Sequence, residues 1–210
     1  DVILAIDSSG SMNQNDPGRL RIAGAKDYVT HLSRPDRIAI VDFDSDAHLT
    51  KANVGGAQHH LFSPGHNGIP VYTEVNTDID TIDSIGSTNY GAALWVANNE
   101  LITYGNVNHA WAIILLTDGK NTACLPVPPC SSNSGAASDA LALAQANRAK
   151  ASGITIFTIG LGPSINPALL TQIAQITGGT YYPAPNAEAI RFIYFEIAMH
   201  FKGFITCGTL

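Results

Sequence analysis

The chain has 210 residues, enough for one domain with a full core and tight for two. Hydrophobic residues make up 45% and charged residues 13%, with a formal net charge of −6, so the composition argues against disorder and offers no basic stripe for a nucleic-acid backbone. The longest apolar run, Ala110–Leu116, has strand length and falls far short of the roughly 20 residues of a membrane-spanning helix.

Taken in order, the chain alternates strand and helix patterns. It opens directly on a continuous apolar strand, Val2–Ile6, without a leader, as a piece cut from a longer protein would. A polar loop, Asp7–Gly18, leads to a helix whose apolar stripe is Ile22, Ala25, Val29 and Leu32, ended by Ser33-Arg34-Pro35. Arg37–Phe43 reads as a second strand. Ala47–Asn53, after the tight Asp44-Ser45-Asp46 turn, reads as a third, antiparallel to it and at an edge. Gly55–Tyr72 has no period and is expected to be a surface loop.

Asn76–Ile85 is expected as a short helix and Tyr90–Tyr104 as a longer one, before a central strand at His109–Thr117. A second long loop, Asp118–Ala137, precedes a helix at Asp139–Ser152 stopped by Gly153. Then come a strand at Ile154–Leu161, a helix at Pro167–Thr177 ended by Gly178-Gly179, a short strand at Thr180–Tyr182 and a closing helix at Ala187–Phe201. The expected fold is α/β: a doubly wound, Rossmann-like three-layer sandwich with a mostly parallel sheet, one antiparallel edge strand and helices on both faces. No repeat or linker divides the chain, so residues 1–210 are expected to form a single domain.

In open α/β sheets ligands lie beyond the carboxyl ends of the strands. There this chain carries Asp7-Ser8-Ser9-Gly10-Ser11 after the first strand, Thr117-Asp118-Gly119 after the central one, and Gly86-Ser87-Thr88-Asn89 opening a helix between them. Asp7, Ser9, Ser11, Thr88 and Asp118 form an all-oxygen donor set with two negative charges. Such a set suits a hard divalent cation, Mg²⁺ first with Mn²⁺ or Ca²⁺ as alternatives. Taken singly, each of these residues is ordinary turn or cap chemistry; the signal is in the set. Ser8 and Asn121 are expected to hydrogen-bond within these loops. His59, His60 and His66 share one loop, where an exposed variable segment is the expected reading ahead of a transition-metal site. Asp42, inside a strand, needs a buried partner.

Asp7-x-Ser9-x-Ser11, with Thr88 and Asp118 downstream, resembles the metal-ion-dependent adhesion site of the von Willebrand factor type A (VWA) family. DVILAIDSSGSM, IAIVDFD, GSTNYGAAL, IILLTDGKN, GITIFTIGLG and IAQITGGTYY follow in the same order along essentially the whole chain. The resemblance implies that Ser9, Ser11 and Thr88 touch the metal directly while Asp7 and Asp118 act mostly through water. It further implies a non-enzymatic binding module, in which an Asp or Glu of a protein partner completes the cation, and in which the last helix moves when ligand binds.

Cys124 and Cys130 bracket Leu-Pro-Val-Pro-Pro and resemble a disulfide staple, which with the low charge content points to an extracellular or cell-surface protein, an adhesin or pilus-associated protein. Reduced thiols in the cytoplasm are the competing reading of Cys124, Cys130 and Cys207. The alternative function is an intracellular assembly module of a chelatase- or ATPase-type complex. A phosphatase-like enzyme using Asp7 as nucleophile is disfavoured, because the position two residues on is Ser9, where such enzymes place a second carboxylate. Expected partners are the acidic protein ligand and neighbouring domains of the parent chain; nucleic acid and membrane insertion are not expected.

Overall fold

The structure is a computed structural model that describes residues 1–33, 35–50, 53–54, 57–58, 60–61, 72–124 and 135–205. The elements are β1 (Val2–Asp7), α1 (Met12–Asn15), α2 (Leu20–Thr30), β2 (Ile38–Phe43), β3 (Ala47–Leu49), β4 (Asn53–Val54), β5 (Ala57–Gln58), α3 (Tyr72–Thr81), α4 (Tyr90–Tyr104), β6 (Trp111–Thr117), α5 (Gly135–Ala151), β7 (Ile154–Leu161), α6 (Pro167–Thr177), β8 (Tyr181–Ala184) and α7 (Glu188–Ile205). Six strands form one sheet in the order β3-β2-β1-β6-β7-β8, parallel throughout except for β3, which pairs antiparallel with β2 at the edge. This is the expected doubly wound architecture.

Its cause lies in the alternation of side chains along strands that are buried on both faces. In β1, Val2, Leu4 and Ile6 face one layer and pack with Ile22, Ala25 and Val29 of α2, Ile79 of α3, and Ile190 and Tyr194 of α7. Ile3 and Ala5 face the other layer, with Leu94 and Leu101 of α4, Ala142 and Ala146 of α5, and Leu170 and Ile173 of α6. The layers close tightly. Gly91 of α4 has the Leu141 side chain 2.5 Å from where a Cβ would stand, so α4 and α5 meet across a position that only glycine fills. Gly178 ends α6 in the left-handed region at φ 79°, as the glycine pair in the sequence implied.

Several boundaries differ from the sequence expectation. The third strand stops at Leu49; Asn53 belongs instead to a separate two-stranded hairpin in which Asn53 pairs with Gln58 and Val54 with Ala57. That hairpin lies within the stretch expected to be a loop. Helix α3 starts and ends four residues before the expected Asn76–Ile85. Residues 82–85 leave the helix because their polar groups are used elsewhere: Ile82 and Asp83 carbonyls accept from Arg19 and Arg21, and the Ile85 amide donates to Ser8 O at 2.7 Å. The single-turn α1 inside the first loop was not foreseen; it buries Met12 completely. Helix α7 has one apolar side in the core, through Ile190 and Ile197, but its second side is open: Phe192 is 74% exposed, with Phe195 and Met199 also exposed. Cys130, Cys207, His59 and His66 lie outside the described residues.

Candidate metal centre

The centre is assembled from three loops at the carboxyl edge of the sheet. Asp7 is the last residue of β1 and Asp118 directly follows β6, so the parallel pairing of these neighbouring strands brings both carboxylates to one edge. Both are fully buried. Ser11 Oγ donates to Asp118 Oδ1 at 2.6 Å, Ser9 Oγ lies 3.5 Å from the same oxygen, and the two serine hydroxyls are 3.1 Å apart. Asp7 accepts from the Ser9 amide at 2.7 Å and from the Thr117 hydroxyl, which holds it beneath the serine loop. Thr88 comes from the loop opening α4. A Cβ placed on Gly119 would stand 3.0 Å from Thr88 Oγ1 and 3.6 Å from Ser11 Oγ, so the Thr88 hydroxyl faces the same small space. The structure therefore brings all five sequence-identified residues together.

The loops are tied to one another by backbone bonds. Gly10 N donates to Gly86 O, and the amides of Thr122 and Ala123 donate to Thr88 O. Asn89 caps α4 through its side chain on Ala92 N, which fixes where Thr88 sits at the helix entry. Ser8 and Asn121 are the loop hydrogen-bonders expected of them: Ser8 Oγ donates to Phe43 O, and Asn121 Oδ1 accepts from Tyr90 N.

Three contributors escaped the sequence reading. Asn15, at the end of α1, donates from Nδ2 to Asp118 Oδ2 at 2.9 Å, which occupies the carboxylate oxygen that the serines leave free. Asp16 accepts from the amides of Leu20 and Arg21 at the start of α2 and forms a fully buried ion pair with Arg21 at 3.0 Å. Arg21 continues to Asp83 O and Ser84 Oγ, in the loop that leads to Thr88. A signal for this pair was present, because an arginine on the apolar side of an amphipathic helix must find a buried anion.

Electrostatics favour a cation here. Among the described residues no lysine, arginine or histidine forms an ion pair with Asp7 or Asp118. Burial, and then the charge of Asp118, push the Asp7 carboxyl up to about 7. Two buried carboxylates without a counter-charge are costly, and a divalent ion between them removes that cost. The donor chemistry fits such an ion: carboxylates and hydroxyls only, with the Ser11 hydroxyl donating its proton to Asp118 and keeping its lone pairs for a metal. A side chain at position 119 would fill the space, and the chain has glycine there.

The other residues singled out in the sequence go elsewhere. His60 Nδ1 lies 3.0 Å from the buried Glu100 carboxylate and its ring stacks on Tyr104, so it packs on α4 outside any metal cluster; among the described residues no group of three His, Cys, Asp or Glu is placed to hold a metal. Asp42 is buried on β2, where burial raises its pKa and the Ser8 hydroxyl opposes the rise; its Oδ1 has no hydrogen-bond partner among the described residues.

The sequence profile of the von Willebrand factor type A domain matches residues 1–195. The chain belongs to the VWA family. A curated relative, the uncharacterized protein YfbK of Escherichia coli, is 28% identical over 184 residues, which is 86% of this chain and 27% of that protein; the chain thus spans about a quarter of its relative's length. The VWA domain of the type V pilus tip protein Mfa5 from Porphyromonas gingivalis is similar in fold, with a TM-score of 0.75 at 18% identity, over 100% of this chain and 97% of that one. So is proximal thread matrix protein 1 of the mussel byssus, solved with a zinc-occupied metal-ion-dependent adhesion motif, at a TM-score of 0.68 and 22% identity over 94% of this chain and 44% of that one.

Proposed function

We propose that this VWA domain is a cation-dependent protein-binding module, an adhesion module of an extracellular or cell-surface protein. A divalent cation, Mg²⁺ first, is held by Ser9, Ser11 and Thr88 with Asp7 and Asp118 behind them. The observation that carries the reading is the convergence of three hydroxyls, from Ser9, Ser11 and Thr88, on two buried carboxylates that form no ion pair among the described residues. The bound cation supplies an electrophilic position for an Asp or Glu of the partner. The chain itself orients the ligands: Thr117 and the Ser9 amide hold Asp7, and Asn15 holds Asp118.

Binding rather than catalysis is supported by the use of both Asp7 oxygens as hydrogen-bond acceptors inside the fold, which keeps that carboxylate buried and engaged rather than presented as a nucleophile. An extracellular setting is supported by the fully buried Cys124, which we take to be oxidised, with Cys130 as its proposed disulfide partner. The similarity to a pilus tip domain points the same way. Among the described residues no helix is long and apolar enough to cross a membrane.

The test is to strip the protein with EDTA and titrate Mg²⁺, Mn²⁺ and Ca²⁺ by calorimetry. Saturable one-site heat is expected from wild type, and none from the Asp7→Ala, Ser9→Ala double variant with its circular dichroism unchanged. Metal affinity that survives both substitutions would overturn the assignment.

A further inference from the structure

Beside β8, the carboxyl end of β7 and the loop into α6 lies an open groove of about 420 Å³, whose wall includes Ile165, Tyr181, Pro163, Pro167, Pro183 and Pro185 and, among the described residues, no charged side chain. Its rim reaches the metal centre. Gly162 lines the groove at φ +72°, and the nearest atom to a Cβ at that position is Asn15 Oδ1 at 3.9 Å; the amide nitrogen of the same Asn15 donates to Asp118. One side chain therefore separates the apolar groove from the carboxylates. On the opposite flank Ile85 is 62% exposed, and its amide is bonded to Ser8 O in the serine loop.

We propose that this groove is the specificity pocket for the ligand of the metal centre. It takes an aliphatic or aromatic side chain standing two or three residues, along an extended segment, from the Asp or Glu that completes the cation. This rests on the cation-dependent reading above. Sheet geometry sets the spacing: β6, which carries Asp118, neighbours β7, and β7 neighbours β8, so the groove begins about one strand spacing from Asp118 and ends about two away, ~5–10 Å. An extended peptide advances roughly 3.3 Å per residue, so positions two and three residues away fall ~7–10 Å from the carboxylate.

The prolines decide the mode of recognition. Pro183 lies within the edge strand β8 and offers no amide hydrogen, which makes that edge a poor template for strand addition. Four proline rings also give the groove a wall that needs little ordering when a side chain enters. An apolar side chain is thus the group that the groove recognises.

The probe is a library of N-acetylated, C-amidated nonapeptides with a fixed central Asp and randomised flanks, incubated with the EDTA-stripped protein with and without Mg²⁺. The expected result is Mg²⁺-dependent capture with about tenfold enrichment of Leu, Ile, Val, Phe, Tyr or Pro at a position two or three residues from the Asp. In Pro183→Glu, at an exposed position, that enrichment disappears while Asp-dependent capture persists and the thermal midpoint is unchanged. Capture that needs both Mg²⁺ and Asp but shows no apolar preference would overturn the groove and leave the metal reading standing. So would a preference that survives Pro183→Glu and Pro185→Glu together. Absence of any Mg²⁺-dependent capture would overturn the acidic-ligand reading and the groove with it.

Discussion

Replacing Asp7 by asparagine is expected to stabilise the metal-free protein while destroying its response to metal. The fully buried Asp7 carboxyl is raised from 3.8 to about 7, first by burial and then by Asp118. A carboxylate with a raised native pKa favours the fold fully below its unfolded value and loses that contribution as pH climbs to the native one. Wild type without metal should therefore lose stability between about pH 4 and pH 7 and change little above. At about 1.4 kcal/mol per pKa unit, the ionised Asp7 costs the fold on the order of 4 kcal/mol at pH 8.

Asparagine is isosteric, keeps an oxygen for the Ser9 amide and places an amide against the Thr117 hydroxyl, which is able to accept. After the loss of two charge-assisted hydrogen bonds the net gain is about 2–4 kcal/mol, or roughly 5–15 °C in thermal midpoint for a domain of this size. Thermal melts of both proteins at pH 5 and pH 8, with EDTA and with saturating Mg²⁺, check it. Wild type should rise with Mg²⁺, most at pH 8, and Asp7→Asn should sit high and flat. A variant that melts below metal-free wild type at pH 8 would refute the reasoning.

Gly119→Ala should keep the fold within about 1 kcal/mol yet weaken cation affinity at least about tenfold, because its methyl meets Thr88 Oγ1 at 3.0 Å; urea denaturation reads the first and calorimetric titration the second. Arg21→Met leaves Asp16 buried without its cation and should cost about 3–5 kcal/mol in urea denaturation, much of it restored by adding Asp16→Asn. Gly91→Ala forces a methyl to 2.5 Å from Leu141 and should cost about 1–3 kcal/mol by the same assay. Intact mass after alkylation should show Cys124 protected until a reductant is added; immediate alkylation of Cys124 in the denatured, unreduced protein would remove the argument for an oxidising compartment.

The layers of the fold were legible because parallel strands buried on both faces leave continuous apolar runs, and β1, β6 and β7 match theirs closely. Helix α4 was legible through its apolar face and α6 through the Gly178-Gly179 pair that ends it, while the Asn89 and Asn166 caps are seen only in the structure. What failed had non-local causes. Helix α3 is pulled out of its expected span because Arg19 and Arg21 claim the carbonyls of Asp80, Ile82 and Asp83. The exception is the hairpin of Asn53–Val54 with Ala57–Gln58, whose signal is local: the Gly55-Gly56 pair between two short strands. At the candidate centre the five donors announced themselves as a spaced motif. Asn15 did not, and the Asp16–Arg21 pair showed only as an arginine on the apolar side of a helix, since their roles depend on where a single helical turn and a distant loop fall in three dimensions.

Crystals grown with Mn²⁺ and measured at the manganese absorption edge test the central claim most directly. The account predicts one strong anomalous peak bounded by the hydroxyls of Ser9, Ser11 and Thr88, close to Asp7 and Asp118, and its disappearance in Asp118→Ala. A peak at another place on the molecule, such as beside His60 and Glu100, or an empty site at saturating Mn²⁺, would contradict it.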